Sequence, residues 1–168
     1  MPNIIKTYTH EVAPLRLIGK KYTNSDRVDG NFGAKWHEWF ENGWFDVIGK
    51  NIDKTAITID DENDGSVGFM RGMDENFEYW IGLITPENTP VPDGFEYVDL
   101  PKGELAVCFV QGKENTVFFQ EMACSTKLEA EGFKLRHDSC FERYNHPRFT
   151  VPDEDGNRIL DICFYLDK

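Results

Sequence analysis

The sequence repeats one order of elements on either side of a proline-rich connector. Each half is expected to run strand, helix and then a pair of strands, and the connector at 86–94 holds three prolines and a glycine. This order predicts an α+β fold made of two copies of one small unit, at about 1–88 and 93–168. Two antiparallel sheets lying side by side, with helices on their outer side, leave a central groove lined by strand residues.

Hydrophobic periodicity predicts the individual elements. Alternating apolar residues indicate strands, and an apolar stripe at helical spacing indicates an amphipathic helix. In the first half these patterns predict strands at 15–22, 54–60, 67–71 and 77–84, and a helix at 31–45. In the second half they predict strands at 95–100, 104–111, 139–147 and 158–166, and a helix at 115–131. Gly82, inside an otherwise apolar strand, indicates close approach of a neighbouring backbone.

Aromatic side chains are unusually frequent and make up 14% of the chain. Because rings bury large areas and also line ligand cavities, this excess fits a large core, a lined cavity or both. The helix at 31–45 carries Phe32, Trp36, Trp39 and Phe40 at helical spacing. Trp36 and Trp39 are therefore either core residues or residues at the mouth of a cavity.

The charge of the chain argues against nucleic acid as a direct partner. There are 18 basic and 30 acidic residues among 168, a net charge of −12. Binding to a phosphate backbone depends on clustered Lys and Arg, and this sequence has no basic stripe. The length and composition are those of one compact globular domain. A negative field favours cationic ligands, although it also serves solubility.

The cysteines and the N-terminus predict a cytoplasmic protein. Cys108, Cys124, Cys140 and Cys163 lie far apart in apolar runs, as reduced core residues of a cytosolic protein do. The N-terminus lacks the apolar run of a signal peptide. No stretch approaches the length of about 20 apolar residues that a membrane span requires, so no membrane association is expected.

A carboxylate lies in the middle of the strand at 139–147, between aromatic residues. Because strand side chains alternate, Cys140, Glu142 and Tyr144 are expected on one face and Phe141 and Arg143 on the other. Glu142 must then be exposed, paired with a basic side chain, or available to bind a ligand.

Several segments resemble the GyrI-like small-molecule-binding family, which includes the effector-binding domains of AraC-type and MerR-type regulators. They are YWIGL at 79–83, FEYVDLPKGELAV at 95–107, EGFKLRHDSCFERY at 131–144 and the last strand at 159–166. The resemblance implies duplicated βαββ units of the SHS2 type with a ligand in the groove between them. It also implies that Glu142 is the pocket glutamate, which faces positively charged aromatic compounds in multidrug-binding members. The chain resembles the stand-alone members, which lack a DNA-binding segment.

The favoured hypothesis is thus a protein that binds or sequesters small aromatic molecules, cationic ones above all. One carboxylate can compensate the charge while ring faces supply stacking and cation–π contacts. Since the sequence does not decide which face of each strand is inward, the candidate ligand-binding residues form a broad set: Glu142, Trp39, Tyr79, Trp80, Phe109, Tyr144 and Tyr165.

Two other classes of function stay open. The resemblance extends to hydrolases of reactive natural products that bear a cyclopropane, in which Glu142 would activate water and Tyr144 would assist as an acid. It also extends to a gyrase-inhibiting member, so an interaction module that inhibits a larger enzyme is the second alternative. Cys140 is a possible nucleophile, with a structural thiol favoured. Because the histidines are scattered and no phosphate-binding glycine loop occurs, no metal or cofactor is expected.

Overall fold

The computed structural model describes residues 2–50, 52 and 65–167. The strand predicted at 54–60 lies outside the described residues. The strands are β1 (Asn3–Val12), β2 (Leu15–Tyr22), β3 (Ser66–Arg71), β4 (Glu78–Pro86), β5 (Glu96–Leu100), β6 (Gly103–Lys113), β7 (Ser139–Tyr144) and β8 (Asn157–Tyr165). The helices are α1 (Gly33–Asn42), α2 (Trp44–Gly49) and α3 (Glu121–Ala130).

The predicted α+β class is confirmed, and the two expected sheets are joined into one. The eight strands are antiparallel in the order β1-β6-β8-β7-β3-β4-β2-β5. The connection is made by β3 and β7, which pair from Ser66↔Tyr144 to Arg71↔Ser139. Because β3 also pairs with β4 and β7 also pairs with β8, no open strand edge separates the halves.

The first strand of each half pairs with the other half. β1 pairs with β6, and β5 pairs with β2. Yet only two residues connect β1 to β2, and only two connect β5 to β6. In a flat sheet β1 and β2 would lie about 29 Å apart, six strand spacings, whereas so short a connection spans at most about 11 Å. The sheet must therefore curl until its two ends approach each other.

The curl gives the sheet an inner and an outer face. The inner face packs side chains from both halves together, among them Leu17, Trp80, Val107 and Phe141. The outer face carries the helices: α1 and α2 cover one end of the sheet and α3 covers the other. The helices thus lie on the outer side, as expected, and leave the central strands β3 and β7 uncovered between them.

Both predicted helices are shorter than the patterns indicate. Gly43 has a φ of 64° and ends α1, so the stripe of rings at 31–45 is divided between α1 and α2. The second helix begins at Glu121 and not near Asn115, because Phe119 with a φ of 62° breaks the segment before it. β1 was not predicted, since its mixed polar sequence is that of an edge strand. Among the described helices, none combines the length and apolar character needed to cross a membrane.

Candidate functional site

A cavity of about 740 Å³ lies on the outer face above the central strands. Its base is formed by β3, β4 and β7, and its sides by α1 and by the segment that leads into α3. This volume is within the range of sites for drug-sized ligands. The lining residues are Arg27, Asn31, Phe32, Gly33, Trp36, Phe40, Gly65, Ser66, Met70, Phe77, Tyr79, Glu114, Phe118, Phe119, Glu121, Glu142, Tyr144, His146, Phe149 and Thr150.

The strand register explains why Glu142 lies at the base. Glu142 on β7 is directly opposite Gly68 on β3, which is opposite Ile81 on β4. Side chains at these positions point to the same face of the sheet. Gly68 leaves that row open: a Cβ there would lie 2.7 Å from the Tyr79 hydroxyl and 3.4 Å from Trp36 Cζ2.

Glu142 is buried, and no basic side chain of the described residues pairs with it. Its side chain is 6% exposed, and Tyr144 donates a hydrogen bond to Glu142 Oε2 at 2.5 Å. Burial raises the pKa of Glu142 well above its usual range, and hydrogen bonding to Glu121 and repulsion from it raise this pKa further. In the described part of the chain no Lys or Arg offsets these effects. Without a cation nearby, Glu142 therefore stays protonated to a higher pH than an exposed glutamate does.

Two tyrosine hydroxyls surround this carboxyl group. Trp36 Nε1 donates a hydrogen bond to the Tyr79 hydroxyl at 2.9 Å, and Tyr144 is a further hydrogen-bonding neighbour of Tyr79. Burial, followed by the nearby Glu142, raises the pKa of both tyrosines well above the usual value. Both therefore stay neutral near pH 7 and can act as hydrogen-bond donors.

The sides of the cavity are aromatic and come from both halves of the chain. From the first half, Phe32 stacks flat on Tyr79 with ring centroids 4.3 Å apart. From the second half, Phe149 meets Tyr144 edge-on at 4.8 Å. Trp36 joins the two groups, with its ring 4.6 Å from that of Tyr144 at 62°. Faces and edges in this arrangement suit a flat aromatic or cationic ligand.

The structure brings together three of the seven predicted site residues. Glu142, Tyr79 and Tyr144 line the cavity. Trp39 lies beneath α1 in the core, where its Nε1 donates to the Tyr22 hydroxyl at 2.9 Å. The other three belong to the inner face, on the opposite side of the sheet from Glu142: Trp80, Phe109 and Tyr165.

Several cavity residues were absent from the predicted set. One side of the cavity is lined by three rings spaced four residues apart, Phe32, Trp36 and Phe40. Trp39 lies on a different face of α1, which packs into the core. That spacing is a signal that could have separated Trp36 from Trp39. Arg27 and Glu121 carry no comparable signal, because their places depend on loops and on long-range strand pairing.

Cys140 does not have the features of a nucleophile. All four cysteines are free, and burial raises the pKa of the Cys140 thiol far above its usual value. The reactive thiolate form is therefore disfavoured. No group of three or more potential metal-binding side chains occurs within the described ranges 2–50 and 65–167.

Comparisons with known proteins point to one family and one fold. The sequence model of the family Cass2, the integron-associated effector-binding proteins, matches residues 4–164. One similar solved structure comes from Staphylococcus aureus MU50 and is described as a bacterial transcription regulation protein. Its sequence is 16% identical, the match covers 97% of this chain and 99% of that chain, and the TM-score is 0.65. SAV2435, solved bound to tetraphenylphosphonium, is 17% identical, with 97% and 94% covered and a TM-score of 0.68.

An integron cassette protein from the mobile metagenome of Vibrio cholerae is similar over its whole length. It is 13% identical, with 99% of each chain covered and a TM-score of 0.55. None of the curated proteins compared with the chain matches it. At these identities the structural similarities establish a common fold.

Proposed function

The chain belongs to the family of integron-associated effector-binding proteins. We propose that the effector it binds is a small aromatic cation, held above Glu142. The observation that carries the proposal is the burial of this carboxyl group among rings, with no basic partner in the part of the chain that the structure describes. A buried carboxylate costs several kcal/mol to desolvate unless a charge or donors compensate it. The described residues supply one such donor, the Tyr144 hydroxyl, and no basic side chain. A cation in the cavity supplies the missing charge.

The aromatic sides of the cavity supply the rest of the binding energy. Phe32, Trp36 and Phe149 present ring faces or edges around the space above Glu142. Each stacking or cation–π contact contributes about 0.5–2 kcal/mol. A similarly folded protein, SAV2435, was solved with tetraphenylphosphonium, a cation that carries four phenyl rings. That ligand combines the two properties for which this cavity is suited.

A dye titration tests the proposal. Rhodamine 123, a flat aromatic cation, is titrated by fluorescence anisotropy against wild type and Glu142→Gln, which keeps the shape of the side chain and removes its charge. We expect the variant to bind about 10-fold to 100-fold more weakly, as the loss of a charge-assisted contact implies. The exposed Glu129 on α3 provides the matched control Glu129→Gln, with unchanged affinity. Equal affinity of wild type and Glu142→Gln for the dye would show that the Glu142 carboxylate does not bind the cation.

A second candidate function, hydrolysis of reactive small molecules, is favoured by the Glu142–Tyr144 hydrogen bond. In its ionised form Glu142 can take a proton from water, while the Tyr144 hydroxyl protonates the carbon that is released as the ring opens. The test incubates the protein with electrophilic natural products that bear a cyclopropane and measures the addition of one water by mass spectrometry. Turnover by wild type that is lost in Glu142→Gln supports hydrolysis. Absence of turnover across the panel argues against it.

A further inference from the structure

Among the described residues that line the cavity, the charged side chains are separated by sign. Three lining carboxylates come from the second half of the chain: Glu114, Glu121 and Glu142. The lining arginine, Arg27, comes from the first half and precedes α1. The described lining therefore has an acidic side and a basic side, although the whole chain is strongly acidic.

Arg27 is held in place by hydrogen bonds and by contacts with aromatic rings. Its Nε donates to Asn24 Oδ1 and its Nη1 donates to the Gly30 carbonyl, both at 3.0 Å. The guanidinium group lies over the ring of Phe32 at 4.6 Å and near the ring of Phe77 at 5.3 Å. No carboxylate within the described ranges pairs with it, and a guanidinium has five N–H donors, so donors remain for a ligand.

Arg27 and Glu142 are separated by stacked rings. The Arg27 guanidinium lies over Phe32, Phe32 stacks on Tyr79 at 4.3 Å, and Tyr79 is adjacent to Glu142. The two charges consequently do not pair with each other across the cavity.

We infer that the cavity prefers amphoteric aromatic ligands, whose cationic group lies at Glu142 and whose carboxylate is bound by Arg27. This inference rests on the proposed function, since it keeps Glu142 as the partner of the cation. It adds a second charged contact and narrows the ligand class from aromatic cations to aromatic zwitterions. Binding of a carboxylate by a pre-positioned guanidinium also fixes the orientation of the ligand in the cavity.

A matched pair of dyes tests the inference. Rhodamine 110 carries a free carboxylate, and rhodamine 123 is its methyl ester, so the two differ only at that group. Both are titrated by fluorescence anisotropy against wild type, Arg27→Met and Arg27→Lys. The methionine keeps an apolar stem over Phe32 and Phe77 while removing the charge, and the lysine keeps the charge. Arg136→Met, a surface change outside the cavity, is the matched control.

We expect wild type to bind rhodamine 110 about threefold to tenfold more tightly than rhodamine 123, the range for a charged contact at a half-buried site. This preference should disappear in Arg27→Met, persist in Arg27→Lys and be unchanged in Arg136→Met. A wild-type protein that binds both dyes equally, or a preference unaffected by Arg27→Met, overturns the inference and leaves the proposed function intact. If wild type binds neither dye, the proposed function fails and the inference with it.

Discussion

Glu142 links the ligand site to the stability of the whole protein. Its pKa in the folded chain is raised above the ordinary value of 4.5, so folding favours the protonated form. The stability that this side chain contributes is complete below about pH 4.5 and is lost as the pH rises through the folded-state pKa. Among the described residues, the titratable groups that interact with it are Glu121, Tyr79, Tyr144 and Cys140.

Glu142→Gln should accordingly stabilise the unliganded protein at neutral and alkaline pH. A glutamine has no charge to desolvate, so we expect the free energy of unfolding at pH 8 to rise by about 1 kcal/mol. In a chain of this size that gain raises the melting temperature by about 2–4 °C above wild type. The difference should shrink towards pH 4.5. Circular dichroism melting curves across this range measure it, with the exposed Glu154→Gln as the control. A difference that does not depend on pH would contradict a raised pKa at Glu142.

At the residue scale, the sequence was sufficient where polar and apolar side chains alternate. Glu142 and Tyr144 were expected on the face opposite Arg143. The structure confirms this, because Arg143 is 1% exposed and pairs with Asp161 on the inner face. In β4 both faces are buried, so no alternation distinguishes Tyr79 from Trp80. Which of these two rings meets Glu142 depends on the register between β3 and β4, which a single sequence does not reveal.

At the element scale, β3 provides the space in which the ring network forms. Its Gly68 lies between Glu142 and Ile81 in the register. The absence of a Cβ allows Tyr79 and Trp36 to approach the strand and keep their hydrogen bond. Sequence patterns do not single out Gly68, because its importance comes from neighbours on β4 and α1 that are distant along the chain.

Gly68→Ala should weaken ligand binding through this network. The new methyl group would displace the Tyr79 hydroxyl and press on Trp36, which we expect to destabilise the fold by about 1–2 kcal/mol. The affinity for rhodamine 123 should fall by about fivefold, which corresponds to about 1 kcal/mol. Urea unfolding and dye titration measure the two effects separately.

Gly49→Ala is the matched control, because nothing lies within 4 Å of a Cβ at Gly49. This variant should retain wild-type affinity and lose no stability, since alanine is favoured over glycine in helices. If Gly68→Ala behaves like this control, the open position on β3 has no part in shaping the cavity.

At the scale of the whole molecule, the halves are joined in more ways than a repeat of elements suggests. The sequence predicted two units, but the exchange of β1 and β5 between the halves is a long-range pairing that local patterns cannot indicate. β3 and β7 add a second connection at the centre of the sheet. Removing either half would therefore expose a strand edge and part of the shared inner core.

This architecture predicts that the two halves unfold together. The chain offers a separate probe for each, since all four tryptophans lie in the first half and all four cysteines in the second. Tryptophan fluorescence and thiol labelling should give coincident urea midpoints, because neither half keeps a complete sheet once the other has opened. If the thiols became reactive at lower urea while fluorescence stayed native, the halves would be separate domains. The cavity between them would then have to form by docking of two independently folded units.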